Sequence, residues 1–226
     1  MSVSHSPSPP QSEEELLNRV RPLAGLTLED LSLKLSLPLP KSTLHAKGWL
    51  GQLFESLLGA TASSLPEPDF QLIGVELKTL PLTASGKPKE STYVCTVPLT
   101  GLQNQRWETS WVKRKLQRVL WLPLQADNRI PFPQRQIGNA ILWSPDAAEE
   151  AQLKQDWEEL MELVCLGQLD QISSHMGNVL QIRPKGANAK ALTTTQDEEG
   201  HIIATLPRGF YLRPGFTLNI IQSHYA

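Results

Sequence analysis

Cysteine, histidine and long apolar runs are all scarce in this chain, and each scarcity removes a class of function. Two cysteines, Cys95 and Cys165, make no disulfide framework and have no metal-ligand spacing, so a reducing, cytoplasmic setting is the simplest expectation. The five histidines, His5, His45, His175, His201 and His224, are scattered without the spacing of a zinc site. No apolar run approaches the roughly 20 residues that span a bilayer. The N-terminal MSVSHSPSPPQSEEE has prolines and acids where a signal peptide has a basic end and an apolar core. Gly-rich phosphate loops and dinucleotide fingerprints are missing as well, so any energy from ATP would come through partners.

What is present suffices for a sizeable core. A chain of 226 residues fits one domain of ordinary size, or one domain in two lobes. Residues 1–11 are expected as a disordered tail and 12–226 as the domain. Ser12 and Glu15 have the spacing of a capping box ahead of Leu16, Leu17 and Val20, and Thr27 with Asp30 repeats it. Pro38 and Pro40 end the second helix. Lys47 to Gly59, KGWLGQLFESLLG, carries Trp49, Leu50, Leu53, Phe54, Leu57 and Leu58 at helical spacing, with Glu55 at the margin of the stripe. Thr92 to Val97 reads as a strand that would form a hairpin beside the strand preceding it. Asp146 to Leu166 reads as a long amphipathic helix after a Ser144-Pro145-Asp146 start signal. Phe216 to Tyr225 reads as a short closing helix.

The stretch that invites chemistry is Asp69 to Lys78, DFQLIGVELK. Ile73, Val75 and Leu77 alternate with Gly74, Glu76 and Lys78, the pattern of a strand buried on one face. Glu76 and Lys78 then share the other face, roughly 7 Å apart along the strand. A turn folds Asp69 back beside Glu76. Hard oxygen ligands such as Asp69 and Glu76 suit Mg2+, one ion or two, and Lys78 would orient an attacking water at a phosphodiester. An ordinary ion pair of Glu76 with Lys78 is the competing reading of the same residues.

Charge is weakly negative overall, 21 basic against 23 acidic residues, but unevenly spread. Residues 105–135 carry a local net of +5, and residues 146–170 a local net of -7. A protein basic on one side and acidic on another can hold a polyanion on the first. Arg183, Pro184 and Lys185 end a strand, VLQIRP, and lead into a loop, KGANAK, where Gly186 permits close backbone approach. Arginine or lysine there could reach guanine O6 and N7 or only phosphate.

KGWLGQLFESLLGA, PEPDFQLIGVELKTLP, PLTG, WETSWVKRKLQRVLWLP, QIRPKGANAKAL and LPRGFYL, in this order, together resemble the MutH DNA mismatch-repair endonucleases. The resemblance runs from about Glu13 to near the C-terminus. It implies an α/β, restriction-endonuclease-like fold, a mixed central sheet flanked by helices, with two lobes around a DNA cleft. It implies a Mg2+-dependent endonuclease that nicks the unmethylated strand at hemimethylated GATC sites, and that also takes unmethylated GATC. Activation would come from MutL after MutS has found a mismatch.

Carried onto this sequence, the resemblance makes Glu55, Asp69, Glu76 and Lys78 catalytic and puts Lys115 in the active-site or phosphate neighbourhood. It makes Asp69, Glu76 and the backbone carbonyl of Leu77 the metal ligands. Lys47, Gly48, Tyr93, Arg183, Pro184, Lys185 and Gly186 become DNA contacts, with the Arg-Pro-Lys loop reading GATC. The best-known relatives have Phe where this chain has Tyr93. Tyr211 becomes the sensor of adenine N6-methylation. Two other readings remain: a stand-alone GATC restriction endonuclease, and a non-catalytic DNA-binding module.

Overall fold

The computed structural model describes residues 7–40, 46–62, 65, 67–185 and 191–225. The chain divides into two compact units. Met1–Lys89, Gln117–Ser144 and His224–Ala226 form the first, Glu90–Leu116 and Pro145–Ser223 the second.

The first unit begins with helices set by their caps. Ser12 accepts the N–H of Glu15 at the start of α1, Glu13–Val20. Only half of the expected capping box forms, because the Glu15 carboxylate accepts from the Gln11 N–H and pairs with Arg19 instead. Of the expected tail, residues 1–6 lie outside the described residues; the Ser8 carbonyl accepts from Arg19, and Pro10 is buried. The Thr27–Asp30 box is complete and starts α2, Leu28–Leu35, which ends at Ser36 in the left-handed conformation ahead of Pro38. Helix α3, Ala46–Leu58, buries Leu50, Leu53, Phe54 and Leu58. These pack with Leu16, Val20, Leu28, Leu31, Val75, Leu77, Leu120 and Leu122 in one apolar core. Each such side chain contributes about 1.5–3 kcal/mol when fully buried.

One face of that core is a mixed sheet. Strand β1, Glu76–Leu82, pairs in parallel with β3, Val119–Gln125, which pairs antiparallel with β4, Ile141–Trp143. β1 and β4 are its edge strands. The Glu76 N–H reaches the Arg118 carbonyl beside β3, so the N–H groups of Leu77 and Thr79, and the ring nitrogen of Pro81, lie on the alternate positions that face away from β3. Pro81, having no N–H, therefore costs no ladder bond.

The second unit contains β2, Thr92–Thr96, β5, Leu180–Pro184, and β8, Arg208–Leu212, in the antiparallel order β2-β8-β5. Strands β6, Thr193–Gln196, and β7, Ile202–Thr205, form a separate hairpin. Helix α4 covers Trp111–Leu116, and α6 Pro214–Tyr225. Helix α5, Ala147–Cys165, starts at Asp146 with a complete capping box to Glu149 and buries Leu153, Trp157, Leu160, Met161 and Val164. Among the described residues no helix is long and apolar enough to cross a membrane.

Two expectations change. The strand around Glu76 starts at Glu76 itself: Ile73 and Gly74 belong to a turn, and Glu76, Leu77 and Lys78 are all buried, so neither face is solvated there. β2 does not form a hairpin with β1. Pairing back onto β1 stops at the Leu82–Pro88 bridge and the Lys89 N–H to Pro81 carbonyl bond. Pro88 has no N–H to lengthen that ladder, and β2 pairs with β8 instead.

Candidate active site

Asp69 reaches Glu76 through a four-residue turn. Phe70 and Val75 exchange backbone hydrogen bonds of 2.9 and 3.3 Å around Gln71–Gly74, with Gly74 at φ 67°. That left-handed conformation suits glycine. The next pair outward is Asp69 opposite Glu76. The bend thus follows Asp69, in residues 71–74. The Asp69 carboxylate accepts the Leu77 N–H at 2.8 Å, while its backbone carbonyl accepts from Thr61 and Ala62 beyond α3. Because N–H and C=O of one strand residue point to the same edge, the Leu77 carbonyl lies on the Asp69 side of β1.

Lys78 Nζ donates to Glu76 Oε1 at 2.9 Å, and both side chains are more than nine-tenths buried. Asp69 is 6% exposed. Asp69 and Glu76 thus bring two buried carboxylates to the start of β1, and their oxygens are the hard donors a divalent cation takes. The donor set therefore fits a metal. Glu55 lies half-buried on α3 of the same unit, its Oε1 3.8 Å from where a Cβ on Gly51 would stand. Among the described residues, the group of three acid, histidine or cysteine ligand atoms converging within 4.8 Å is Asp197, Glu199 and His201 in the second unit. There Asp197 Oδ1 accepts from the Glu199 and His201 N–H groups, as in a hairpin turn. Glu55 is not gathered with Asp69 and Glu76 that closely.

The remaining anticipated residues fall mostly in the second unit. Lys115 is half-buried on α4. Tyr93 on β2 stands opposite Tyr211 on β8, which stands opposite Gln181 on β5. The two tyrosine rings meet edge to face, centroids 5.4 Å apart. Lys185 Nζ sits 3.6 Å above the Tyr93 ring, and the Arg183 guanidinium 5.9 Å from the Tyr211 ring. Arg183, Pro184 and Lys185 are exposed at the end of β5. Burial pushes the Tyr211 phenol above its ordinary pKa of 10, with Tyr93 adding to the rise and Arg183 opposing it. The phenol therefore keeps its proton at neutral pH. Gly186 and the side chain of Lys47 lie outside the described residues. Gly48 falls in the first turn of α3, with open space where a side chain would be.

Comparison with known proteins gives the family of the chain. The chain is 50% identical over 218 residues to the DNA mismatch repair protein MutH of Klebsiella pneumoniae subsp. pneumoniae, covering 96% of this chain and 94% of that protein. Identity to MutH of Vibrio campbellii is 51% over 216 residues, covering 96% of each. For MutH of Escherichia coli K12 it is 49% over 218 residues, covering 96% and 95%. A family model described as the DNA mismatch repair enzyme MutH matches residues 58–156. The chain belongs to the MutH family. It is a mismatch repair enzyme, a metal-dependent endonuclease that cuts DNA.

Within this MutH-family chain, several positioning residues escaped the sequence reading. Asp156 on α5 is fully buried, and its Oδ2 accepts the Val179 and Leu180 N–H groups at 2.6 and 2.8 Å, anchoring the start of β5. Arg213 holds the preceding loop through the Ser174, Met176 and Gly177 carbonyls. The sequence signal for Asp156 was a carboxylate inside the apolar stripe, next to Trp157. Charge segregation is also weaker in space than along the chain. Lys113 of the basic segment pairs with Glu150 of the acidic helix at 2.7 Å, Arg118 with Glu13, and Arg129 with Asp127. Arg129 holds the Asp127 carboxyl down at a pKa of about 2.

Proposed function

We propose that this MutH-family enzyme uses Mg2+, one ion or two, to nick the unmethylated strand of hemimethylated or unmethylated GATC sites. MutL activates it downstream of MutS, in the cytoplasm. The fold is of the restriction-endonuclease type, and residues 12–226 act as a single endonuclease domain on one duplex. In this reading residues 1–11 are a tail outside the reaction. The observation that carries it is the trio on the edge of β1, two buried carboxylates and one lysine, in a chain that belongs to a DNA-cutting family.

Asp69, Glu76 and the Leu77 carbonyl would hold the metal, and Glu55 assists them. When bound, the ion acidifies a water and offsets charge on the scissile phosphate. Lys78 orients the attacking water and stabilises charge developing on the phosphoryl oxygens. Glu76, 2.9 Å from Lys78 Nζ, keeps the lysine side chain aimed. Lys115 contacts phosphate near the cut. Arg183 and Lys185, with Pro184 and Gly186 shaping the loop, read guanine O6 and N7 in the major groove, discrimination of about 1–3 kcal/mol per bidentate pair. Lys47, Gly48 and Tyr93 contact the duplex. Tyr211 packs where an adenine N6-methyl group would project. The exposed acids Glu158 and Glu159 on α5 offer a face for MutL, and charge reversal at both is expected to weaken MutL stimulation.

The test is nicking of a plasmid carrying one hemimethylated GATC site, with Mg2+, with and without MutL, alongside Glu76→Ala. A nick confined to the unmethylated strand, stimulated by MutL and lost in the variant, is expected. Cleavage indifferent to methylation and to MutL would mark a stand-alone restriction endonuclease. GATC binding without cleavage under any condition would mark a DNA-binding module.

A further inference from the structure

Gly209 occupies β8 between two tyrosines, and the reason for glycine there is space. Its φ is not in the left-handed region, so the backbone would accept any residue. A Cβ at 209, however, would stand 2.9 Å from Tyr93 Cε2, 3.2 Å from Tyr93 Cδ2 and 3.0 Å from Tyr211 Cε2. Carbon atoms pack at about 3.5–4.0 Å, so either ring would have to move. Gly209 pairs in register with Arg183 on β5 and Thr96 on β2, one step along the same sheet face from the Tyr93–Tyr211 pair. The notch it leaves thus lies beneath the edge-to-face contact of the two rings. Those rings carry Lys185 and Arg183. The Tyr93 hydroxyl is tied to Thr96 Oγ1 at 3.0 Å, which limits how far its ring can swing.

We infer that Gly209 is a specificity-determining residue: by having no side chain it lets Tyr211 stand where it separates adenine from N6-methyladenine. This rests on the methylation-reading role proposed above for Tyr211. Gly209 touches neither DNA nor metal in this scheme and acts through the ring beside it. A displaced Tyr211 ring opens the space in which it would meet the methyl group, and one methyl's difference in a packed contact is worth roughly 10–200-fold in discrimination.

The experiment measures initial cleavage rates on three otherwise identical duplexes with one GATC site, unmethylated, hemimethylated and fully methylated. The proteins are the parent chain, Gly209→Ala, Tyr93→Ala and the double variant, each with a thermal melt. Gly209→Ala is expected to lower the ratio of unmethylated-strand to methylated-strand cleavage at least about tenfold. In the Tyr93→Ala background the added Cβ still stands 3.0 Å from Tyr211 Cε2, so the same substitution should lower that ratio again, through faster cleavage of the methylated strand. A merely structural role would slow both strands alike. The inference is overturned if Gly209→Ala keeps the parent's ratio. It is equally overturned if the ratio falls only through slower cleavage of the unmethylated strand. If Gly209→Ala alone does not fold, the comparison of the double variant with Tyr93→Ala decides in the same way: a further fall supports the inference, and an unchanged ratio overturns it. A parent chain that cut both strands alike would overturn the Tyr211 reading and, with it, this one; a discriminating parent isolates the failure to Gly209.

Discussion

The carboxylate of Asp69 accepts the backbone N–H of Leu77 at 2.8 Å, so an acid proposed as a metal ligand is also a strut of the strand that carries Glu76 and Lys78. The two duties can be separated. Asp69→Asn keeps an acceptor for Leu77 but removes the charge; Asp69→Ala removes both. Cleavage is expected to fall at least about 100-fold in either variant. Thermal and urea melts should place Asn near the parent and Ala about 1–3 kcal/mol lower, the cost of a buried N–H without its partner. Equal stability for the two variants would refute the strut.

Lys78 meets the Glu76 carboxylate in a site shielded from water. Lys78→Met should reduce single-turnover cleavage about 10²- to 10⁴-fold, while affinity for GATC duplex, measured by fluorescence anisotropy, stays near that of the parent. Lys78→Arg should not restore the rate, because a planar guanidinium cannot take the place of a compact ammonium in so closed a space. A parallel loss of binding would contradict the assignment.

Tyr211 is proposed to exclude a methyl group by packing. Tyr211→Ser is therefore expected to relax discrimination between methylated and unmethylated strands more than it lowers cleavage of unmethylated DNA. Competition assays with the two duplexes give the comparison directly, and equal loss on both would remove the role.

Asp156 is a buried carboxylate holding two backbone N–H groups at the start of β5, the strand that ends in Arg183 and Pro184. Asp156→Ala should cost about 1–3 kcal/mol, chiefly from the buried Leu180 N–H left without its partner, read from urea unfolding. GATC affinity should fall with it, and Asp156→Asn should lose less of both.

Glu13 and Arg118 form a two-bond fork, 2.7 and 2.6 Å, and the Arg118 carbonyl receives the Glu76 N–H. The Arg118 guanidinium holds the Glu13 carboxyl below its ordinary 4.5. A depressed folded-state pKa contributes stability that is present above the unfolded value, near 4.5, and lost as pH falls through the folded value. Urea unfolding followed from neutral pH downward should therefore show a shallower acid limb in Glu13→Gln than in the parent. Identical limbs would show that the fork contributes nothing measurable.

Legibility in the sequence followed the range of the interactions concerned. The helix starts at Ser12, Thr27 and Asp146 were readable because a cap and the N–H it accepts are two or three residues apart. The Glu76–Lys78 side-by-side placement was readable because a strand's period is two. The pairing partner of β2 was not readable. β8 lies more than a hundred residues away in sequence, and a run of apolar residues does not say which edge it will join.

The sequence by itself determined the local elements, the types and spacing of the acids and lysine around β1, and the order of motifs that marks a MutH-family chain. Only the tertiary structure decided which of those charges are out of water, how the 71–74 turn brings Asp69 to Leu77, and that Lys113 and Glu150 cancel charges that look segregated along the chain. It alone revealed Asp156 beneath β5 and the missing side chain at Gly209 between two rings. The physical reason is that burial, desolvation and close packing are properties of groups brought together from distant parts of a chain, whereas caps, turns and strand alternation are settled among near neighbours.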